Sequence, residues 1–386
     1  MKPRSTILTF LALTVTLLAQ GQITIIQETD PLGFPPPIPV AISGFTGEVD
    51  AVLKNDLCFM GFKFTSPDKA QYLITGKNDA NVECRVTERI TRAVRLAKAY
   101  TGSTPRAQTH ALADDLALTL TGRPGIAQTK IAFKTETRRD KSEIYVADYD
   151  GFNARAATQD GSLTVAPCWV GRSTLYYCSY KLGKPFIFGQ HLTSGTRRTI
   201  ASHPGLNTSP AVSADGKRLA MILSKGGNPD LYVADADGGN VRQLTRTREE
   251  ESSPCWSPDN RTICYVSRQN SVAGLYTISA DGGTAKRLSA PGAPTPTEPD
   301  WSPDGKWIAF TTLTRDFNIC IVPAQGGKVT VVATGEDQSW APNSRALIFA
   351  RGPDGSKKLS LLDVPTKFSK DLARILESNS QPSWAK

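Results

Sequence analysis

Motifs that carry chemistry are scarce in this chain. There is no Gly-x-Ser-x-Gly elbow, no Walker loop, no HExxH and no dinucleotide fingerprint, so no catalytic apparatus is expected. Only 3 His are present, and the 7 Cys form no CxxC or Cys/His cluster, so no metal or other cofactor is expected. The formal charge is +9, but the cations are spread along the 386 residues, with no basic helix and no Arg–aromatic stripe. Nucleic-acid binding is therefore not expected. Beyond the first 18 residues, no apolar run is long enough to cross a membrane.

What is present begins with a leader. Lys2 and Arg4 precede an apolar run from Thr6 to Leu18, and Ala19-Gln20-Gly21 supplies small residues for a signal peptidase. Residues 1–21 read as a signal peptide, with a mature chain starting at Gln22 outside the cytoplasm. No Cys follows the apolar run, so no lipid anchor is expected, and the protein should be peripheral to the membrane. An odd number of Cys leaves at least one unpaired. Cys255 and Cys264 flank Ser257-Pro258-Asp259-Asn260, and a hairpin turning there sets them opposite each other as a candidate disulfide. For Cys168 and Cys178 the spacing is one residue longer and direct opposition less secure.

Repeats dominate the remainder. Pro167-Cys168-Trp169, Pro210-Ala211-Val212, Pro254-Cys255-Trp256, Pro299-Asp300-Trp301, Ser339-Trp340 and Pro382-Ser383-Trp384 recur at steps of 43, 44, 45, 39 and 44 residues. Turns such as Ser213-Ala214-Asp215-Gly216 and Ser302-Pro303-Asp304-Gly305 follow, then an apolar strand, then a second strand pair. Four short strands per unit make a propeller blade. The final mark, at Trp384, lacks the rest of a blade, while Ile131-Ala132-Phe133 and Ile144–Asp148 lack a first strand. Joining the two closes a ring of six blades and removes the exposed sheet edges. The repeated Trp residues read as core between blades.

The region ahead of the ring differs. Gln22–Ile26 and Ile38–Ile42 read as strands, separated by the extended Pro35-Pro36-Pro37 connector. Glu48–Met60 and Thr104–Leu120 read as helices, and Tyr72–Gly76 with Glu83–Glu88 as paired strands. The expected organisation is thus an α/β N-terminal domain over residues 22–125, followed by an all-β six-bladed propeller over 126–386. Asp148, Asp150, Asp215, Asp235 and Asp304 fall at or beside turn positions and read as turn caps, not catalytic carboxylates. The propeller ends with the given chain, so no peptidase domain is expected after it. The loops before the innermost strands, including Asn207-Thr208-Ser209 and Glu250-Glu251-Ser252-Ser253, are polar and suited to a protein partner.

Several stretches resemble the TolB family of the periplasmic Tol–Pal system. These are Ile144-Tyr145-Val146-Ala147-Asp148-Tyr149-Asp150-Gly151-Phe152-Asn153, then His110 with Asp114, Leu120-Thr121-Gly122 and Thr129–Phe133. The Ser-Pro-Asp-Gly turns and the terminal Pro-Ser-Trp also fit. The family resemblance implies a non-enzymatic, monomeric binding protein that links a Pal-like peptidoglycan-associated lipoprotein to a TolA-like inner-membrane protein, for outer-membrane integrity and invagination during cell division. It points to the channel mouth at Asn207, Thr208, Ser209, Ser252, Ser253, Thr297 and Glu298 for the lipoprotein. For the TolA-like partner it points to Gln22, Ile23, Thr24, Ile25 and Ile26. The alternative is an exported propeller that binds a glycan or small ligand, or scaffolds another envelope complex.

Overall fold

A computed structural model describes residues 32–386, apart from Ser103, Leu376 and the side chain of Asn270. The leader and the segment Gln22–Ile26 lie outside the described residues. From Pro37 on, the chain forms one compact unit with two architectures in it. Ile38–Ser43 (β1), Phe62–Phe64 (β2), Tyr72–Lys77 (β3), Val82–Glu88 (β4) and Val94–Tyr100 (β5) make one sheet in the order β2-β1-β3-β4-β5. β1 is parallel to both its neighbours, whereas β3, β4 and β5 pair antiparallel.

Two helices cover this sheet, α1 (Gly47–Cys58) and α2 (Pro105–Thr121). The start of α2 is set by Thr104, whose Oγ1 accepts the Ala107 N–H at 3.1 Å, with Pro105 at the first helical position. It stops at Gly122, where φ is 71°, a left-handed cap that suits glycine. Val49, Val52, Leu53 and Leu57 bury one face of α1, as their spacing requires. Leu53, Leu57, Leu112 and Leu116 share a core with Ile74 and Val86, and that core continues into Ile131, Phe133, Tyr149 and Trp384 of the propeller. Among the described residues, no helix is long and apolar enough to cross a membrane.

The chain then passes from α2 to the ring along a short linker. Asp114 accepts the Ala127 N–H at 2.8 Å and the Gln128 N–H at 3.1 Å. Gly125 lies so close beneath this carboxylate that a Cβ there would stand 2.4 Å from the Asp114 Cα. Six four-stranded antiparallel sheets follow. Their innermost strands are Thr164–Val170, Asn207–Val212, Glu251–Trp256, Pro296–Trp301, Glu336–Trp340 and Asn379–Trp384. Asn379–Trp384 pairs with Lys130–Arg138, Trp384 facing Ile131, so the last strand closes the first blade as its repeat pattern requires. Trp169, Trp256, Trp340 and Trp384 are buried between blades, while Trp301 is only half-buried.

The α/β layer rests at the end of the ring where the innermost strands finish. Asn343, in the turn after Trp340, donates from Nδ2 to the Phe59 carbonyl at 3.0 Å. The Trp384 indole donates to Thr129 Oγ1 at 2.7 Å. The innermost strands begin at the opposite end, which holds the loops expected from sequence to form the mouth.

Candidate functional site

The innermost strands enclose a cavity of about 720 Å³, walled by the repeated Pro and Trp residues and by one bulge position per blade, five of the six polar. Those six positions are Ala166, Ser209, Ser253, Glu298, Asp337 and Gln381, whose φ values are 53°, 50°, 49°, 52°, 56° and 49°. Each sits at a register shift between the first and second strands of its blade. A bulge there re-aims the side chain and leaves a backbone N–H turned toward the neighbouring blade. L-residues adopt this left-handed conformation at a cost of about 1 kcal/mol or more each, so the surrounding contacts must hold it.

On one half of the ring, those contacts are explicit. Glu298 Oε2 accepts the Asp337 N–H at 3.1 Å, Asp337 Oδ2 accepts the Gln381 N–H at 2.9 Å, and Gln381 Oε1 accepts the Ala166 N–H at 2.9 Å. A second belt lies one step further in. Cys168 Sγ accepts the Val212 N–H at 3.4 Å, Asp300 Oδ2 accepts the Trp340 N–H at 2.7 Å, and Ser339 Oγ accepts the Trp384 N–H at 3.2 Å. Blade-to-blade bonds of this kind fix the ring as a rigid collar. On the other half the bulge residues are Ala166, Ser209 and Ser253, short side chains that leave the wall open.

The collar is electrostatically lopsided. Burial pushes the Glu298 carboxyl well above its ordinary range, and the adjacent Asp337 carboxylate adds to the rise. Asp300 is instead neutralised by Lys386, whose Nζ lies 2.7 and 2.9 Å from its two oxygens. The wall therefore offers hydroxyls on one side, acidic acceptors on the other, and a low-dielectric Pro–Trp lining between.

Of the mouth residues expected from sequence, Ser209, Ser253 and Glu298 line the cavity. Ser252 and Thr297 are exposed at the mouth, and Thr208 is half-buried beside them. Asn207 has to be corrected. It is fully buried, its Oδ1 accepting the His203 N–H at 2.8 Å and its Nδ2 donating to the carbonyls of His203, Gly205 and Pro185. It ties down the preceding loop and has no free donor to offer a partner. Asp337 belongs to the polar loop Gly335-Glu336-Asp337-Gln338 that the sequence also places before an innermost strand, whereas Gln381 was missed, since nothing before Pro382 signals a left-handed bulge.

The turn carboxylates behave as caps. Asp215, Asp259 and Asp304 each accept from the Ser two residues earlier, at 2.6, 2.5 and 2.7 Å. Asp148 and Asp235 accept from Asn153 and Asn240, at 2.6 and 2.5 Å. Cys255 does lie directly opposite Cys264 in register, and both are buried thiols. Cys168 faces Tyr176 and Cys178 faces Val165, so those two are not opposed.

Comparison with known proteins follows the same outline. The pattern of the TolB beta propeller domain matches residues 118–386. The Tol-Pal system protein TolB of Gluconobacter oxydans is 32% identical over 90% of this chain and 86% of its own length. The Tol-Pal system protein TolB of Desulfosudis oleivorans is 32% identical over 186 residues, 46% of this chain, and the match spans only 42% of that relative. Among solved structures, TolB from Acinetobacter baumannii superposes with a TM-score of 0.80 over 90% of this chain and 96% of that one, at 23% identity. That likeness concerns the fold.

Proposed function

Because the chain belongs to the TolB β-propeller family, we propose that it is a non-enzymatic, periplasmic binding component of the Tol–Pal system. In this reading the mature, monomeric protein receives a peptidoglycan-associated lipoprotein at the channel mouth. Its N-terminal segment Gln22–Ile26 engages a TolA-like inner-membrane protein. Linking the two supports outer-membrane integrity and invagination at division.

One observation carries the reading: the pre-formed collar of six bulges in the cavity wall, three of them the expected Ser209, Ser253 and Glu298. Ser209 and Ser253 place hydroxyls in the wall, and Ser252 and Thr297 extend them to the surface. A rigid concave site of this kind binds without an ordering cost, which suits recognition of a folded partner.

Calorimetric titration of the mature protein with the soluble domain of the lipoprotein tests it. Ser253→Trp should block the collar and weaken binding by at least about tenfold, roughly 1.4 kcal/mol. Removal of Gln22–Ile26 should abolish binding of the TolA-like domain instead. Unaltered lipoprotein affinity in Ser253→Trp would remove the mouth from the account.

A further inference from the structure

Cations that look scattered along the chain are gathered by the fold. In every blade the tip joining the second and third strands lies beside the start of the first. Asn207 faces Leu223, for example, and Leu223 in turn faces Asp230, which places residues 224–229 at the mouth. The repeat brings all six tips to the same end. Taken as residues 138–141, 180–185, 224–229, 268–273, 314–316 and 351–358, they hold eleven Lys and Arg against three Asp. The tips alone thus sum to a formal charge of +8.

Every blade contributes an exposed cation to it: Arg139, Lys181, Lys225, Arg268, Arg315 and Lys358. Among these six the ion pairs are few and long, Lys181 to Asp160 at 3.6 Å and Arg139 to Asp140 at 3.9 Å, whereas on the last tip Lys357 and Arg351 are paired closely with Glu336 at 2.6 Å and Asp371 at 2.5 Å. Inside the rim stand the Glu298 and Asp337 carboxyls of the collar. Apolar side chains share the rim as well. Leu182, Val272, Leu313 and Phe317 are 62, 51, 45 and 44% exposed, and all four lie on or beside these tips. A merely solvated face has no need of them, whereas a protein-binding rim combines Arg or Lys with such side chains.

We propose that this rim is an outer contact zone for the protein that enters the mouth, and that this partner presents an acidic shoulder to it. The inference rests on the mouth reading above and adds the chemistry of the partner's surface. Cations spaced around a ring steer an acidic partner onto the axis before short-range contacts form. Such steering acts on the association rate and fades as salt shortens the Debye length to about 8 Å at 0.15 M.

The test is association kinetics of the full mature chain with the soluble lipoprotein domain, at low and at physiological salt. The variants are Lys181→Glu/Lys184→Glu/Lys225→Glu and its milder Gln counterpart, both checked for an unchanged melting temperature. Association of the wild type should slow about tenfold between the two salt conditions, and charge reversal should slow it by a similar factor at low salt. Dissociation should change little, and the Gln variant should fall between. Equal rates and equal salt dependence in all three proteins would overturn the rim while leaving the mouth reading intact. A wild type that does not bind the domain at all would remove both. Vesicles rich in phosphatidylglycerol provide the last arm. Rim-dependent vesicle binding with unchanged partner rates would assign the rim to lipid and overturn an acidic protein shoulder.

Discussion

His110 Nδ1 stands 2.7 Å from Asp56 Oδ2, joining α2 to α1 beneath the propeller. The other ring nitrogen lies 3.7 Å from Asp150 Oδ2, on the propeller side. Tyr149 donates its hydroxyl to Asp56, Arg106 pairs with Asp150, and the Arg106 guanidinium lies 3.3 Å from the Phe152 ring. One imidazole thus sits between two carboxylates at the seam of the two architectures. Burial alone would lower its affinity for a proton, but the hydrogen bond and charge of Asp56, with the charge of Asp150, raise it above the usual value.

A raised folded-state value means that protonated His110 stabilises the fold fully below about pH 6.5. That contribution is lost as pH rises through the folded value. Asp56 is itself pushed up, by burial first, so its ionisation also weighs against the fold as pH rises from acid. Melting temperatures of the wild type and of His110→Asn between mildly acidic and mildly alkaline pH give the check. The wild-type curve should fall more steeply with rising pH, and parallel curves would contradict the seam's charge pattern.

Closure makes the last strand indispensable. Trp384 stacks on Tyr149 with ring centroids 6.1 Å apart, and only 2% of its surface is exposed. Trp384→Ala should cost about 3–5 kcal/mol in urea unfolding. Deletion of residues 379–386 should abolish the cooperative transition, because Lys130–Arg138 then becomes an open edge. An unchanged midpoint in either variant would contradict ring closure.

At the mouth, stability and binding should separate. Asn207→Ala strands the carbonyls of His203, Gly205 and Pro185 and should destabilise by about 1–3 kcal/mol. Ser252→Ala and Thr297→Ala, on exposed side chains, should stay within about 0.5 kcal/mol. Denaturant midpoints distinguish the two classes, and equal shifts would contradict the assignment of Asn207 to the loop.

Among the seven thiols, Cys255 and Cys264 should be joined first on oxidation. Burial raises the Cys255 thiol well above its ordinary value, and Cys264 beside it adds to the rise, so attack on a small disulfide is slow in the folded state. Refolding in oxidised glutathione exposes both. One thiolate attacks the reagent, the second displaces it, and two reduced glutathiones leave. Peptide mapping should find the 255–264 link ahead of any other, and a dominant link elsewhere would contradict the register.

The blades were legible because Pro-x-Trp and Ser-x-Asp-Gly repeat with the period of a blade, and the missing first strand at Ile131 matched the surplus one at Trp384. The collar was not. Ala166, Ser209, Ser253, Glu298, Asp337 and Gln381 share a backbone conformation but no chemistry, so no composition signal marks them. The bulge also explains the error at Asn207, since an extra residue reverses which face of a strand its neighbours present. β5 was missed for another reason. Val94-Arg95-Leu96-Ala97-Lys98-Ala99-Tyr100 is rich in helix formers, and pairing with β4 overrides that preference. The basic rim was invisible because its six tips are a blade apart in sequence and meet only in the ring.

The most direct test of the central claim is photo-crosslinking in living cells from a benzoyl-phenylalanine placed at Ser253. A control probe at Phe64, on the α/β sheet, reports on the other end of the molecule. The account predicts capture of the peptidoglycan-associated lipoprotein from Ser253 and none from Phe64. Capture from Phe64 alone, or no lipoprotein adduct from Ser253 in cells where both proteins are present, would contradict it.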